Sequence, residues 1–142
     1  MSVHSVDSID RSVHKTNEWL SDLADALGID DRKQAWRVLR AYLQLLRDQV
    51  TIDEAAQLAA QLPLVLRGAF YEGFDPGHQP APHDRGRFLV LLAERAQLPD
   101  TDAAGRAAEA ATSVLRRHVT PGEVDEILGQ LPTELREVLH HP

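Results

Sequence analysis

Apolar residues recur along this chain every three or four positions, which is the spacing of one face of an α-helix. The first such row consists of Val6, Ile9, Val13, Thr16, Leu20, Leu23 and Leu27. Gly28 follows the row directly and is a natural residue to end a helix in the left-handed conformation. Because no stretch alternates apolar and polar residues, the sequence predicts helices and no strand.

A second helix is predicted to begin at Asp30 or Asp31, either of which can cap its first turn. Its apolar face is wide, so we expect this helix to be the most buried of its group. The face consists of Ala35, Val38, Leu39, Tyr42, Leu43, Leu45, Leu46 and Val50.

The third predicted helix begins with a capping box formed by Thr51 and Glu54. In this motif the threonine hydroxyl accepts a hydrogen bond from the glutamate amide, and the glutamate carboxylate accepts one from the threonine amide. The helix is predicted to end near Leu62. Pro63 is then expected to open a fourth helix, which ends at Gly73.

The same plan occurs twice, because the chain matches itself without a gap after a shift of 69 residues. Residues 20–67 and 89–136 share 17 identical positions, and a second capping box stands at Thr120 and Glu123. The sequence therefore predicts an all-α fold of two pseudo-symmetric four-helix units packed as one helical domain. We expect the units at residues 1–75 and 84–142, with a proline-rich linker at 76–83.

Composition narrows the possible functions. The 142 residues include no cysteine, which excludes disulfides and cysteine nucleophiles. A net charge of −7 with only two lysines argues against nucleic-acid binding. No signal-peptide segment and no membrane-length apolar run is present, so we expect a cytoplasmic protein without membrane contact. Glycine-rich phosphate loops and metalloprotease motifs are lacking, and we expect no cofactor.

Five segments of the chain carry a family resemblance: residues 14–20, 41–48, 59–63, 67–68 and 71–76. Together they resemble the bacterial domain-of-unknown-function 2267 family, and the resemblance covers nearly the whole chain. Phe74 stands where that family usually has tryptophan, and Phe70 where tyrosine is common, so an aromatic is kept at both positions. The resemblance implies an all-helical bacterial cytoplasmic protein and implies no reaction.

Arg67 and Arg136 occupy equivalent positions in the two repeats. Two guanidinium groups can clamp a carboxylate or phosphate ligand. Alternatively, each pairs with an acid or with carbonyls at a helix end, and their occurrence in both repeats favours this structural interpretation.

The segment from Phe70 to Phe74 occurs only in the first repeat. Three interpretations stay open: an aromatic plug between the units, an exposed aromatic patch that binds a partner, and a proton-handling pair of Tyr71 and Glu72. Neighbouring residues on a helix do not face each other, which weighs against the third.

The linker histidines, His78 and His83, lie beside Asp75 and Asp84 and are weak candidates for a metal site. Their spacing is not that of a tight ligand pair, so we predict no metal there. The terminal pair His140 and His141 can bind metal only adventitiously.

From these patterns we expect a non-enzymatic module for protein interaction or self-association. Its partner is another protein or a second copy of the chain, bound through a helical groove or through an aromatic patch that includes Tyr71 and Phe74. The alternative is a small-molecule or metal-binding protein, or an enzyme, that uses Arg67, Tyr71 and Glu72.

Overall fold

A computed structural model describes residues 5–139, and this part of the chain forms eight α-helices and no strand. The prediction of an all-α fold is confirmed. The helices are α1 (Asp7–Leu27), α2 (Arg32–Gln49), α3 (Ile52–Ala60), α4 (Leu64–Tyr71), α5 (Arg85–Ala96), α6 (Thr101–His118), α7 (Pro121–Gly129) and α8 (Thr133–Leu139). A 3₁₀ turn at Pro76–His78 lies between α4 and α5. No helix among these residues is long and apolar enough to cross a membrane.

Most helix ends agree with the local signals in the sequence. The Asp31 carboxylate accepts hydrogen bonds from two amides in the first turn of α2. Gly28 adopts a φ of 70° after α1, as a left-handed helix stop requires. Pro121 is the first residue of α7, but Pro63 lies one residue before α4 because that helix begins at Leu64.

One apolar core runs through all eight helices. As predicted, α2 is extensively buried, with ten buried residues among its eighteen. Helix α1 packs on α6 and α2 packs on α5, while α2 also contacts α6 and α3 contacts α7. The first four helices and the last four therefore complete each other's core.

The first half of α1 extends its apolar stripe into solvent. Thr16, Leu20 and Leu23 are buried. On the same stripe, Val6, Ile9 and Val13 are 54%, 51% and 45% exposed. We call these three side chains the α1 apolar row.

The proline-rich segment is fixed against the end of α2. The Gln79 side-chain amide donates to the carbonyls of Arg47 and Val50, and the Ala81 backbone amide donates to the Asp48 carbonyl at 2.7 Å. The last carbonyls of a helix have no partner within the helix. The segment therefore completes the hydrogen bonding of the α2 terminus.

A buried hydroxyl pair links α2 to α6. The Tyr42 and Thr112 hydroxyl oxygens are 2.6 Å apart, and Thr112 also donates to the Ala108 carbonyl at 2.8 Å. Complete burial raises the pKa of the Tyr42 phenol above its usual value, so the hydroxyl keeps its proton. Since the Thr112 proton is directed at Ala108, Tyr42 is the donor of the pair.

Removing either hydroxyl is expected to have unequal effects on stability. Tyr42→Phe removes the donor and should cost about 1 kcal/mol, whereas Thr112→Val leaves the Tyr42 hydroxyl buried without an acceptor and should cost about 2 kcal/mol. Urea denaturation of both variants measures the difference. A larger loss in Tyr42→Phe than in Thr112→Val would contradict the assigned direction of the bond.

Candidate functional site

Arg67 and Arg136 both bind carbonyl oxygens at helix ends. Arg67 donates from Nε to the Ala59 carbonyl at 2.8 Å and from Nη2 to the Leu62 carbonyl at 3.1 Å. Arg136 makes the same pair of bonds at the end of α7, at 2.9 and 3.1 Å. Their geometry fits the structural interpretation, in which each guanidinium satisfies carbonyls that a helix end leaves unpaired.

The aromatic segment packs mainly on the protein's own side chains. Phe70 is fully buried, while Tyr71 and Phe74 are half-buried. The Tyr71 ring centroid lies 5.2 Å from that of Phe70 and 5.6 Å from that of Phe74. The Arg47 guanidinium lies 5.5 Å from the Phe74 centroid, a cation–π arrangement. All of these contacts lie within residues 47–74, so they show how the segment packs on its own half of the chain.

Arg47 anchors the end of that segment from α2. It is 4% exposed and donates from Nη1 to the carbonyls of Phe70 and Glu72, at 2.9 and 2.7 Å. Its other donors engage the Asp48 carboxylate at 2.9 Å. The chain leaving α4 is thus held by a buried charge.

The Glu72 carboxylate is paired with Arg40 of α2. Its two oxygens accept from Arg40 Nε and Nη2 at 3.1 and 3.2 Å, in an exposed position. Because this bidentate pair occupies the carboxylate, the geometry does not favour a proton-handling pair of Tyr71 and Glu72.

The linker histidines are placed apart from any larger ligand group. His78 Nδ1 lies 2.6 Å from an Asp75 carboxylate oxygen in an exposed turn, and the His83 amide donates to the Gln49 side chain at 2.7 Å. Neither belongs to a set of three metal-type ligands within residues 5–139. His140 and His141 lie outside the described residues.

Helices α3 and α7 are joined by glutamines, which replace half of the first predicted capping box and all of the second. The Thr120 hydroxyl makes no capping bond and instead accepts from the Gln61 side chain at 3.0 Å. The Thr51 hydroxyl accepts from the Glu54 amide at 3.1 Å, as predicted. The Thr51 amide, however, donates to Gln130 at 3.1 Å, and the Thr120 amide donates to Gln61 at 2.9 Å. The predicted bond from each glutamate back to its threonine was wrong, because the glutamine at the end of the opposite helix accepts instead.

The two glutamates of those motifs lie buried at the α3–α7 junction. Glu54 and Glu123 are 5% and 7% exposed, and Gln130 donates to Glu54 Oε1 at 3.0 Å. Glu54 Oε2 and Glu123 Oε1 are buried without a hydrogen-bond partner. Glu126 adds an exposed carboxylate, and one oxygen from each of the three lies within 4.8 Å of the others. We call these residues the carboxylate cluster.

The cluster places several carboxylates together where little water can stabilise their negative charge. Burial raises the pKa of Glu123 to about 8, helped by the hydrogen bond and charge of Glu54 and by the charge of Glu126. Ionising two adjacent carboxylates away from water has a large free-energy cost. A proton or another cation is therefore required to compensate the charge.

Sequence reasoning missed this cluster, although one signal for it was visible. Gln61 and Gln130 are identical in the two repeats, as are Glu54 and Glu123. Polar residues that are identical in two repeats packed on each other are candidates for contact between the repeats. Local periodicity alone carries no such information.

A separate open cleft of about 950 Å³ lies between α5, α6 and α8. Its wall includes Arg85, Arg106 and Glu134, together with Gly105, which the 69-residue shift aligns with Trp36. None of the residues singled out from the sequence lines this cleft.

Comparison with known proteins gives one family match. A family model described as an uncharacterized conserved protein, DUF2267, matches residues 16–138. The match includes the carboxylate cluster and most of the described helices. A search of curated proteins finds no match.

Proposed function

This chain belongs to the DUF2267 family. We propose that it is a non-enzymatic module that pairs with a second copy of itself. The observation that carries the proposal is the α1 apolar row. Ile9 and Val13 lie on one face of the first two turns of α1, and Val6 is the N-cap residue of the helix. Each of the three side chains is about half exposed. Exposed aliphatic residues grouped on one helix face are typical of interaction sites.

The row has the spacing of a helix-pairing seam. Steps of three and four residues, as in a heptad, continue without a break from the exposed turns into the buried part of α1. The face that packs on the protein's own core is therefore the face that extends beyond it. A second helix laid along these turns extends an interface that the chain already uses internally.

Charge along the same turns favours a second copy in antiparallel orientation. Asp7 and Asp10 precede Arg11 and Lys15, so the helix start is acidic and the next turn is basic. Two such segments running antiparallel place each acidic turn beside the basic turn of the other copy. A two-fold contact of this kind closes on itself and gives a dimer.

The proposal includes the internal organisation predicted from the sequence, two four-helix units related by a two-fold axis. Support comes from contacts that recur after the 69-residue shift. Arg67 and Arg136 make matching bonds, and so do Gln61 to Thr120 and Gln130 to Thr51. The packing of α1 on α6 corresponds in the same way to that of α5 on α2.

The alternative function, binding of a small molecule through Arg67, Tyr71 and Glu72, is less well supported. Arg67 is bonded to helix-end carbonyls, and Glu72 is bonded to Arg40. Tyr71 and Phe74 stay predicted contributors to a partner contact, because neither side chain is fully buried.

Placing charges in the α1 apolar row is expected to weaken self-association strongly. The double substitution Ile9→Glu and Val13→Glu buries charge in the proposed seam and should weaken dimerisation on the order of 100-fold. Sedimentation equilibrium over a range of concentrations measures this, and circular dichroism should show an unchanged helical fold. Val90→Glu, at a 38% exposed position on α5, is the matched control.

Either of two results would contradict the proposal. A wild-type chain that stays monomeric at all concentrations contradicts self-association. If Val90→Glu disrupts the dimer as strongly as the double substitution does, the dimer interface does not lie at the α1 apolar row.

A further inference from the structure

We propose that the carboxylate cluster of Glu54, Glu123 and Glu126 binds one divalent cation of the hard, oxygen-preferring class, such as Mg²⁺, Mn²⁺ or Ca²⁺. The site lies at the α3–α7 junction and uses none of the residues of the α1 apolar row. It therefore does not depend on self-association.

The spacing of the ligand atoms suits such an ion. Hard divalent cations bind carboxylate oxygens at about 2.0 to 2.6 Å. Ligands around one ion then lie about 3 to 5 Å from each other. One oxygen from each of the three glutamates lies within 4.8 Å of the other two.

Unpartnered oxygens provide the second, independent observation. Glu54 Oε2 and Glu123 Oε1 are shielded from water and accept no hydrogen bond, although both side chains are more than nine-tenths buried. A buried oxygen without a partner is costly, and a carboxylate more so than a neutral group. An ion coordinated by both oxygens removes that cost.

The charge at the junction also matches a divalent ion. Glu54 and Glu123 are the third residues of α3 and α7, and each helix N-terminus contributes about half a positive charge. Three carboxylates and two helix termini leave about two negative charges, which one divalent cation neutralises. Glu126 is exposed, so an ion can reach the cluster from solvent on that side.

Proton and ion compete for the same oxygens. A carboxylate must be deprotonated to coordinate a metal ion, so the affinity of the cluster for the ion rises with pH.

The test is a titration of the full-length chain with Mn²⁺, followed by electron paramagnetic resonance of the free ion. We expect one ion per chain at about pH 8 and at least about tenfold weaker binding at about pH 5. Glu123→Gln and Glu126→Gln should each weaken binding at least about tenfold. Glu94→Gln, an exposed glutamate on α5, should bind as the wild type does.

Glu126→Gln keeps the test sound if Glu123→Gln fails to fold, because Glu126 is exposed. Circular dichroism verifies the fold of each variant. The proposal is overturned if the wild-type chain binds no Mn²⁺ at about pH 8, or if Glu126→Gln and Glu94→Gln weaken binding equally. The first of these results would leave a shared proton as the only occupant of the cluster.

Discussion

Replacing Arg47 by methionine is expected to destabilise the protein by about 3 kcal/mol or more. Methionine preserves much of the aliphatic stem but removes every donor. The carbonyls of Phe70 and Glu72 then lose their hydrogen bonds, and the Asp48 carboxylate loses its ion pair. Breaking a buried charged network from one side is costly because the partners stay buried without compensation.

Arg40→Met provides a matched control for this variant. Arg40 also holds Glu72, but it does so at the exposed carboxylate, whereas Arg47 bonds the backbone carbonyl from a buried position. An exposed ion pair contributes about 0 to 1 kcal/mol. Urea denaturation of both variants should therefore show a large loss for Arg47→Met and a small one for Arg40→Met. Similar losses in the two would mean that burial of Arg47 adds nothing.

The stability of the metal-free protein is expected to fall as pH rises from about 4.5 to about 8. In this interval folded Glu123 keeps a proton that the unfolded chain has released, because its pKa is raised from 4.5 to about 8 by folding. The stabilisation linked to this proton is complete below the unfolded pKa and is lost as pH rises through the folded pKa. The slope is at most about 1.4 kcal/mol per pH unit.

Glu123→Gln should remove this slope and make the protein more stable than the wild type at about pH 8. Denaturation in the presence of a chelator at about pH 5, 6.5 and 8 measures both effects. Glu94→Gln should keep the wild-type slope. If Glu123→Gln shows the same pH dependence as the wild type, another group controls it.

Local sequence patterns accounted for the helices because helix ends depend on nearby residues. Asp31 caps the turn that immediately follows it, and Gly28 stops α1 through its own backbone conformation. The 69-residue repeat likewise placed α5 to α8 by comparison with the first four helices. Such features need no knowledge of how the helices pack.

The α3–α7 junction could not be predicted in this way, since its partners are far apart in sequence. Thr51 and Gln130 are equally compatible with local capping and with a bond across two helices. Packing decides between them, because the approach of α3 to α7 brings each glutamine to the opposite helix start. The approach of α3 to α7 also buries Glu54 and Glu123 together.

Periodicity identified the stripe on α1, but it could not show how far the rest of the chain covers that stripe. The spacing is identical at Ile9 and at Leu23, yet Ile9 is half exposed and Leu23 is fully buried. Coverage depends on where the neighbouring helices end, which is a property of the assembled fold.

The packing of α1 on α6 and of α2 on α5 has a consequence for how the chain can be divided. Cutting it between α4 and α5 would not release two self-sufficient bundles, because each fragment would expose the faces that the other covers. Residues such as Tyr42 and Thr112 would lose their partners on separation. The fragments would regain a complete core only by reassociating.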